Sequence, residues 1–598
     1  MIRRTLVLLM TTFICIPVIA GKRVTTTIIP HSLAVNAARE LAGWENKINC
    51  LETDRMHGVC AVIPQATLSF RPERIAQCFF GDAILKCDNT IHVVASQHSR
   101  VDADWLADYF GLPTDYESNV YVRPQVAQGL VDLALQIELH ALTPGLYLRM
   151  HAPIVYSNWD LHLCETLIST GTNSHAPGYF NADGIARADL LENFTSFISG
   201  SDAPTSSGIT FQKLEHAKMD CHNHDLVKVS DIQIALGYNI IQKKRYHCGV
   251  NLRLSIPTGN RPTGEFLFEP IIGNGHHWEL GAGLSTHCVV WNNEETQEQA
   301  GIYFDMNLTH LFKTCQKRSF DLCSSHNSRY MLAQKMIPDI QNNLRGTVQG
   351  ERITPLAQYD TVVTSVANLT TLAIQVSAAI QTDLAVMISY QKKKNSWGFG
   401  YGFWAKSCES IQLCGTTPFQ KESWALKGDA HLFGFADDGL DTPIALSATQ
   451  SDATIHRGKN FSQTGATTPL LVAQGAQNPH IDAPAGAVAD PNGDSTFESV
   501  RTLPGGTDQI NTSIQPVLLT HDAIDIDSAR TRGAAHKIFS HFSHTITLEN
   551  TTPYIGFGAE VEFGQGPSPK RLITVGSPTC VNSALSFWAV WLKGGIAF

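Results

Sequence analysis

Apolar and polar residues alternate with a period of two in several separate stretches of the chain. Between Val131 and His140 one register holds Val131, Leu133, Leu135, Ile137 and Leu139, and the other holds Asp132, Gln136, Glu138 and His140. Ile232, Ile234, Leu236, Tyr238 and Ile240 likewise oppose Asp231, Gln233, Gly237 and Asn239. From Tyr246 to Ile256, Tyr246, Cys248, Val250, Leu252, Leu254 and Ile256 oppose His247, Asn251, Arg253 and Ser255. Ile555, Phe557, Ala559, Val561 and Phe563 oppose Gly556, Gly558, Glu560 and Glu562. Side chains on a strand point alternately to its two faces, so each stretch predicts a strand with one greasy and one polar or glycine-lined face.

A soluble sandwich or β-helix also alternates, with its apolar face inward. Two features favour the opposite solution, apolar to lipid and polar to a watery lumen. Stretches such as 120–140 and 371–390 run well beyond the usual 5–6 residues of a strand, and short turns alternate with long loops. Threading the chain this way gives strands at about 57–70, 120–140 and 145–156, then a hairpin across Gln242-Lys243-Lys244-Arg245. Strands at 277–290 and 299–312 follow, then a hairpin across Lys392-Lys393-Lys394-Asn395, weaker strands at 423–436 and 442–448, a hairpin across Asn550-Thr551-Thr552-Pro553, and a last strand from Ser583 to Phe598. The expected fold is all-β, a transmembrane antiparallel β-barrel of about fourteen strands, within a range of about twelve to sixteen. Its barrel unit spans 57–598, preceded by a periplasmic segment or plug at 21–56 in which Ala37-Ala38-Arg39-Glu40-Leu41-Ala42 predicts a helix. Residues 449–535, without Trp, Tyr or Cys and punctuated by proline, read as a long loop or disordered insertion.

Composition agrees. Of 598 residues 16% are charged and 43% hydrophobic, with formal charge −10; the charged share falls below the roughly 25% of soluble proteins. That argues against a coiled coil, an acidic disordered chain or a nucleic-acid binder with a basic face. Arg3 and Arg4, the apolar run Leu6 to Ile16 and the small residue Ala20 read as a signal peptide, residues 1–20. A retained anchor is the alternative, but the run is too short to span a bilayer as a helix.

At the other end Trp588, Val590, Leu592, Ile596 and Phe598 share one register of the last strand. This ending resembles the assembly signal of bacterial outer-membrane β-barrel proteins, which implies a Gram-negative outer membrane and, as partners, its lipid and the barrel-assembly machinery. The strand number, with Leu254-Ser255-Ile256-Pro257-Thr258-Gly259, Glu269-Pro270-Ile271-Ile272-Gly273-Asn274-Gly275 and Trp278-Glu279-Leu280-Gly281-Ala282-Gly283, loosely resembles the outer-membrane long-chain fatty acid transporter family. That resemblance implies a plugged barrel admitting hydrophobic molecules.

The polar registers supply the candidate site: Glu138, Arg149, Arg253, Glu560, Glu562 and Lys593 as lumen lining, where rings of charge tune permeation. Ordinary interior salt bridging explains the same residues equally well. Cys221-His222-Asn223-His224 has neither zinc-ligand spacing nor a second cluster and reads as loop decoration, so no metal and no cofactor is expected. His326-Asn327-Ser328 and His541-Phe542-Ser543 set a histidine two residues from a serine without an identifiable acid; no catalytic residue is assigned. Cys315 with Cys323, Cys408 with Cys414, and Cys78 with Cys87 are candidate staples. The expected function is a porin-like pore or substrate channel for passive uptake of small-molecule solutes. The alternatives are a structural or adhesive surface protein acting through its loops, and a barrel-embedded hydrolase.

Overall fold

The structure is a computed structural model. It describes residues 24–598 apart from 46, 50–56, 85–87, 102, 176–179, 181–183, 244, 324, 338–346, 349–350, 353–357, 422, 436–442, 450–453, 457–499, 503–507, 511–517, 550 and 566–579. Twelve antiparallel strands close into a barrel. In chain order they are β1 (Gly58–Phe70), β2 (Gln125–Glu138), β3 (Leu146–Asp160), β4 (Ile232–Lys243), β5 (Tyr246–Ile256), β6 (Glu279–Asn293), β7 (Glu298–Arg318), β8 (Leu372–Lys392), β9 (Asn395–Lys406), β10 (Thr531–Thr545), β11 (Thr552–Gly564) and β12 (Ser586–Ala597). Each pairs with its neighbour in sequence, and β1 pairs with β12 from Val59↔Ala597 to Phe70↔Ser586. The Gly58 and Phe598 backbones exchange hydrogen bonds of 2.9 Å in both directions, so the wall has no open edge there.

The inside-out register holds along the wall. Trp588, Val590 and Leu592 are 42%, 47% and 54% exposed on the outer face, while Ala589, Trp591 and Lys593 between them are buried. One rim carries the short turns, and there Trp291, Tyr390, Trp397, Phe542 and Phe557 stack in an outward row with centroid spacings from 5.5 to 6.5 Å. Amphipathic rings gather where hydrocarbon meets headgroups, and such a row is the expected girdle of a spanning barrel.

At the opposite rim the long connections fold into a cap with its own apolar core. Trp105 is fully buried there between Phe80, Phe110, Phe194 and Tyr330, with ring centroids 5.7–6.2 Å away. Two small sheets stiffen the cap. One contains Thr90–Val94 and Glu117–Tyr121, and the other contains Leu332–Ile337, Gln358–Ser365, Trp424–Phe435 and Pro443–Thr449. The last two are the weaker pair among the fourteen expected strands. They pair with each other and with Leu332–Ile337 rather than with the wall, which brings the barrel to twelve. Their ladder is interrupted by a register shift between Lys427 and His431, and strand propensity alone does not say which sheet a strand joins.

Of residues 449–535, Ile455 accepts a hydrogen bond from the Leu106 backbone in the cap, Leu519 and Ala529 join the cap core, and Thr531–Ala535 begin β10. Cys408 is bonded to Cys580, not to Cys414 as its short spacing suggests, because the two chain segments meet at the rim where the cap joins the wall. Cys87 lies outside the described residues.

Candidate functional site: the filled lumen

Residues 24–45 and 47–49 run down the inside of the barrel. At the cap end the Thr25 amide donates to the Cys78 carbonyl (2.7 Å) and the Thr26 hydroxyl to the Ser319 carbonyl (2.6 Å). Ser32 donates to Asp231 (3.2 Å). Asn36, whose side chain accepts from the Arg39 amide, then starts the short helix α1 (Ala37–Leu41) in the stretch where the sequence predicts one. Its far end is closed from the wall: the Lys593 ammonium on β12 donates to the carbonyls of Arg39 (3.0 Å), Glu40 (2.9 Å) and Ala42 (2.7 Å) and stands 4.2 Å from the Trp44 ring centroid. A cation on the free carbonyls of a helix end is the favourable sign. The chain turns away at Gly43, where φ is +79° and a Cβ would lie 2.7 Å from the His541 ring. Trp44 donates to Tyr554 (2.7 Å), and the Asn49 amide donates to Glu138 (3.0 Å) near the turn end of the lumen.

Charge holds the middle of this segment. Glu40 faces Arg253 (2.8 Å), Arg149 (3.7 Å) and His151 (3.7 Å). Burial alone would raise its carboxyl, yet the surrounding Arg253, His151 and Arg149 bring it down to about 2. Arg39 pairs with Asp132 (3.2 Å) and donates to Gln65 (2.8 Å), while Arg149 also reaches Asp305 (3.2 Å). On the opposite wall Lys537 lies between Glu560 (3.4 Å) and Glu562 (3.3 Å). Asn36 donates to Glu560 (3.0 Å), His31 contacts Glu562 (3.3 Å), and the Ala37 amide donates to Asp383 (2.6 Å). Small apolar contacts fill the gaps, with Ala37, Ala38, Leu41 and Trp44 in one buried cluster with Val59, Ala61, Ala385 and Met387 of the wall.

All six residues expected to face the lumen are buried on the inner side, and each has a partner that the sequence does not name. All six touch the lumen segment directly, Glu562 at His31. Of the expected assembly residues, Trp588, Val590, Leu592 and Phe598 are exposed on the outer face and Ile596 is half-buried beside the β1 edge. Asp132, His151, Asp305, Asp383 and Lys537 belong to the same network. Their inward registers were visible in the sequence, but nothing local marks them as partners of a segment far away in the chain.

The histidine–serine pairs do not form nucleophile–base contacts. Ser328 is buried and accepts from the Leu322 amide (2.7 Å) while His326 is exposed. His541 and Ser543 are both buried, and no hydrogen bond joins them. In the loop at 221–224, His224 contacts Asp220 (3.0 Å) and Cys221 is exposed.

The closed antiparallel wall, its outward apolar face, its aromatic girdle and its polar filled interior define a transmembrane β-barrel of the outer-membrane type. No protein-family model matches the chain, and no curated protein matches it in sequence. Among solved structures it is similar to an outer membrane channel from Pseudomonas putida F1, at 8% identity over 90% of this chain and 96% of that one, with a TM-score of 0.29. It is also similar to a Pseudomonas aeruginosa FadL homologue, at 7% identity over 97% of this chain and 99% of that one, with a TM-score of 0.26. A third is the Ralstonia pickettii toluene transporter TbuX, at 8% identity over 92% of this chain and 90% of that one, with a TM-score of 0.19.

Proposed function

We propose that the chain is exported by a cleaved signal peptide, assembles through its C-terminal strand into a bacterial outer membrane, and acts there as a channel for passive uptake of small molecules. Residues 24–49 are its plug. The observation that carries this reading is how the lumen is filled: by one segment of the same chain, tied to the wall largely through ion pairs and hydrogen bonds that water can replace. A wall built only to be rigid has no need of a detachable polar filling. Glu138, Arg149, Arg253, Glu560, Glu562 and Lys593 hold the plug and, once it shifts, present alternating charge to a solute. The alternative, a surface protein acting through its cap, needs no conducting state.

Planar-bilayer recording separates the two readings. The full chain should show a closed or briefly opening state, and deleting residues 24–49 should give a steady conductance. Lys593→Met, which removes the clamp on α1 but leaves the wall intact, should give openings of intermediate frequency. A silent bilayer for all three proteins, each showing a heat-modifiable folded band, would reject the channel and leave the surface role.

A further inference from the structure

At the turn end of the lumen His247 on β5 and His287 on β6 occupy directly paired positions, and their rings face each other with centroids 4.3 Å apart. The two Nδ1 atoms are in direct contact. Opposed positions on neighbouring strands hold their Cβ atoms about 4.5–5.5 Å apart, a spacing that lets two imidazoles converge on one ion. Behind His247, Nε2 lies 3.3 Å from the Ser285 hydroxyl and 3.2 Å from the Asn49 amide. With Nδ1 turned to a metal, Nε2–H donates to Ser285, the outer contact that orients a metal-bound imidazole, and the Asn49 side-chain amide, whose nitrogen faces Nε2, rotates to offer its oxygen. His287 is stacked on Tyr303, with centroids 5.4 Å apart and the planes inclined by 23°. Of the cations in this neighbourhood, Arg149 is matched by Asp305 and Glu40, and Lys243, Arg245 and Lys393 stand at the turns together with Glu294 and Glu298.

The pair lies close to the turn-end surface. Two residues beyond His287 on the same inward register, Val289 lines a cleft of about 710 Å³ whose other walls include Lys243, Arg245, Tyr246, Glu294, Glu298 and Lys393. His287 itself is only partly buried.

We propose that His247 and His287 form a binding site for a divalent transition-metal ion, approached from the partly exposed His287 side. Among the described residues no three His, Cys, Asp or Glu side chains converge, so water completes the coordination. Two neutral imidazoles with water select the metals that favour nitrogen, Cu(II) above Ni(II) and Zn(II). The ion would tie two wall strands together beside Asn49, and its binding does not depend on whether the barrel conducts.

The test is Cu(II) titration of the full-length folded barrel in detergent by calorimetry, with electron paramagnetic resonance on the same samples. The expected result is one site whose spectrum carries splitting from two imidazole nitrogens. His287→Ala, and His287→Gln as a variant that keeps the side-chain bulk, should both weaken that site by at least about tenfold, while Ser285→Ala weakens it less. His222→Ala, in an exposed loop, should leave it unchanged. Loss of affinity as pH falls below the imidazole range would accompany binding, because protons compete for the ligands. Unchanged affinity and an unchanged spectrum in both folded His287 variants would overturn the site and leave the two rings as a simple imidazole–imidazole hydrogen bond.

Discussion

Trp588 on the wall and Trp105 in the cap are the same residue type in opposite settings: the first is 42% exposed and the second is fully enclosed by aromatic rings. The wall puts its charge inside, with Glu138, Arg149 and Arg253 all buried, and its large apolar side chains outside. The cap does the reverse, collecting Phe79, Phe110, Tyr116, Phe194 and Phe320 in its centre as a water-soluble domain does. Each arrangement is the low-energy one for its own solvent. The wall gains nothing from hiding leucine from lipid, so its interior is free for polar contacts. The cap lies in water and must bury what the wall displays. A chain that changes solvent along its length therefore carries both rules, and each can be broken alone.

The largest expected effect is in the cap. Trp105→Ala should remove about 3–5 kcal/mol from the cap, the usual range for emptying a large aromatic site. The wall's hydrogen-bonded ring does not pass through that core. Limited proteolysis should then cut the loops at 71–124 and 161–231 faster, while the band on gels remains heat-modifiable. Simultaneous loss of the folded band would show that wall and cap are one cooperative unit.

The next prediction sets two exposed valines against each other. Val590 is 47% exposed on the wall and Val101 is 57% exposed on the cap. Arginine at 590 would face hydrocarbon and should cost about 2–4 kcal/mol at mid-membrane depth. Arginine at 101 would face water and should stay within about 0.5 kcal/mol of the parent. Urea unfolding in lipid vesicles, followed by tryptophan fluorescence, measures both. Equal values would mean that the outer face of β12 is not in lipid, and the inside-out assignment would fail with it.

The same contrast explains what the sequence discloses. The wall is legible because a period of two is local: Val131, Leu133 and Leu135 against Asp132 and Gln136 already state which face is which. The short turns are equally local, and Lys392-Lys393-Lys394-Asn395 sits where β8 hands over to β9. The cap is not legible, since its core gathers Phe80, Trp105, Phe194 and Tyr330 from three separate connections with no common period. Trp424–Phe435 and Pro443–Thr449 were assigned to the wall for that reason: strand propensity does not say which sheet a strand joins. The candidate site was half legible. Alternation marks Glu138, Arg149 and Glu560 as inward, but pairing Arg39 with Asp132, or Lys593 with the end of α1, requires the closed barrel that brings them together.

The smallest expected effect lies where the two regions meet. His277, just before β6, is buried beneath the cap, where its Nδ1 contacts the Phe312 carbonyl (2.7 Å) and its Nε2 faces the Gln316 amide (3.3 Å). Burial lowers its pKa from the ordinary 6.5 to about 4, with Lys406 and Arg318 adding to the effect and Glu409 opposing it. As pH falls, the unfolded chain takes up this proton first, so His277 leaves stability intact above about 6.5 and erodes it progressively toward pH 4. The loss should be local. Once protonated, Nε2 becomes a donor facing the Gln316 amide donor, and the connection at 257–278 loosens from the β7 end. Hydrogen exchange at pH 7, 5.5 and 4 should show that connection gaining exchange as pH falls while the paired amides of β11 and β12 do not. His277→Gln, which cannot titrate, should remove that pH dependence. Equal acid sensitivity in the variant would assign the loosening to another group at the rim, and equal exchange in wall and connection would mean that acid does not separate the two regions at all.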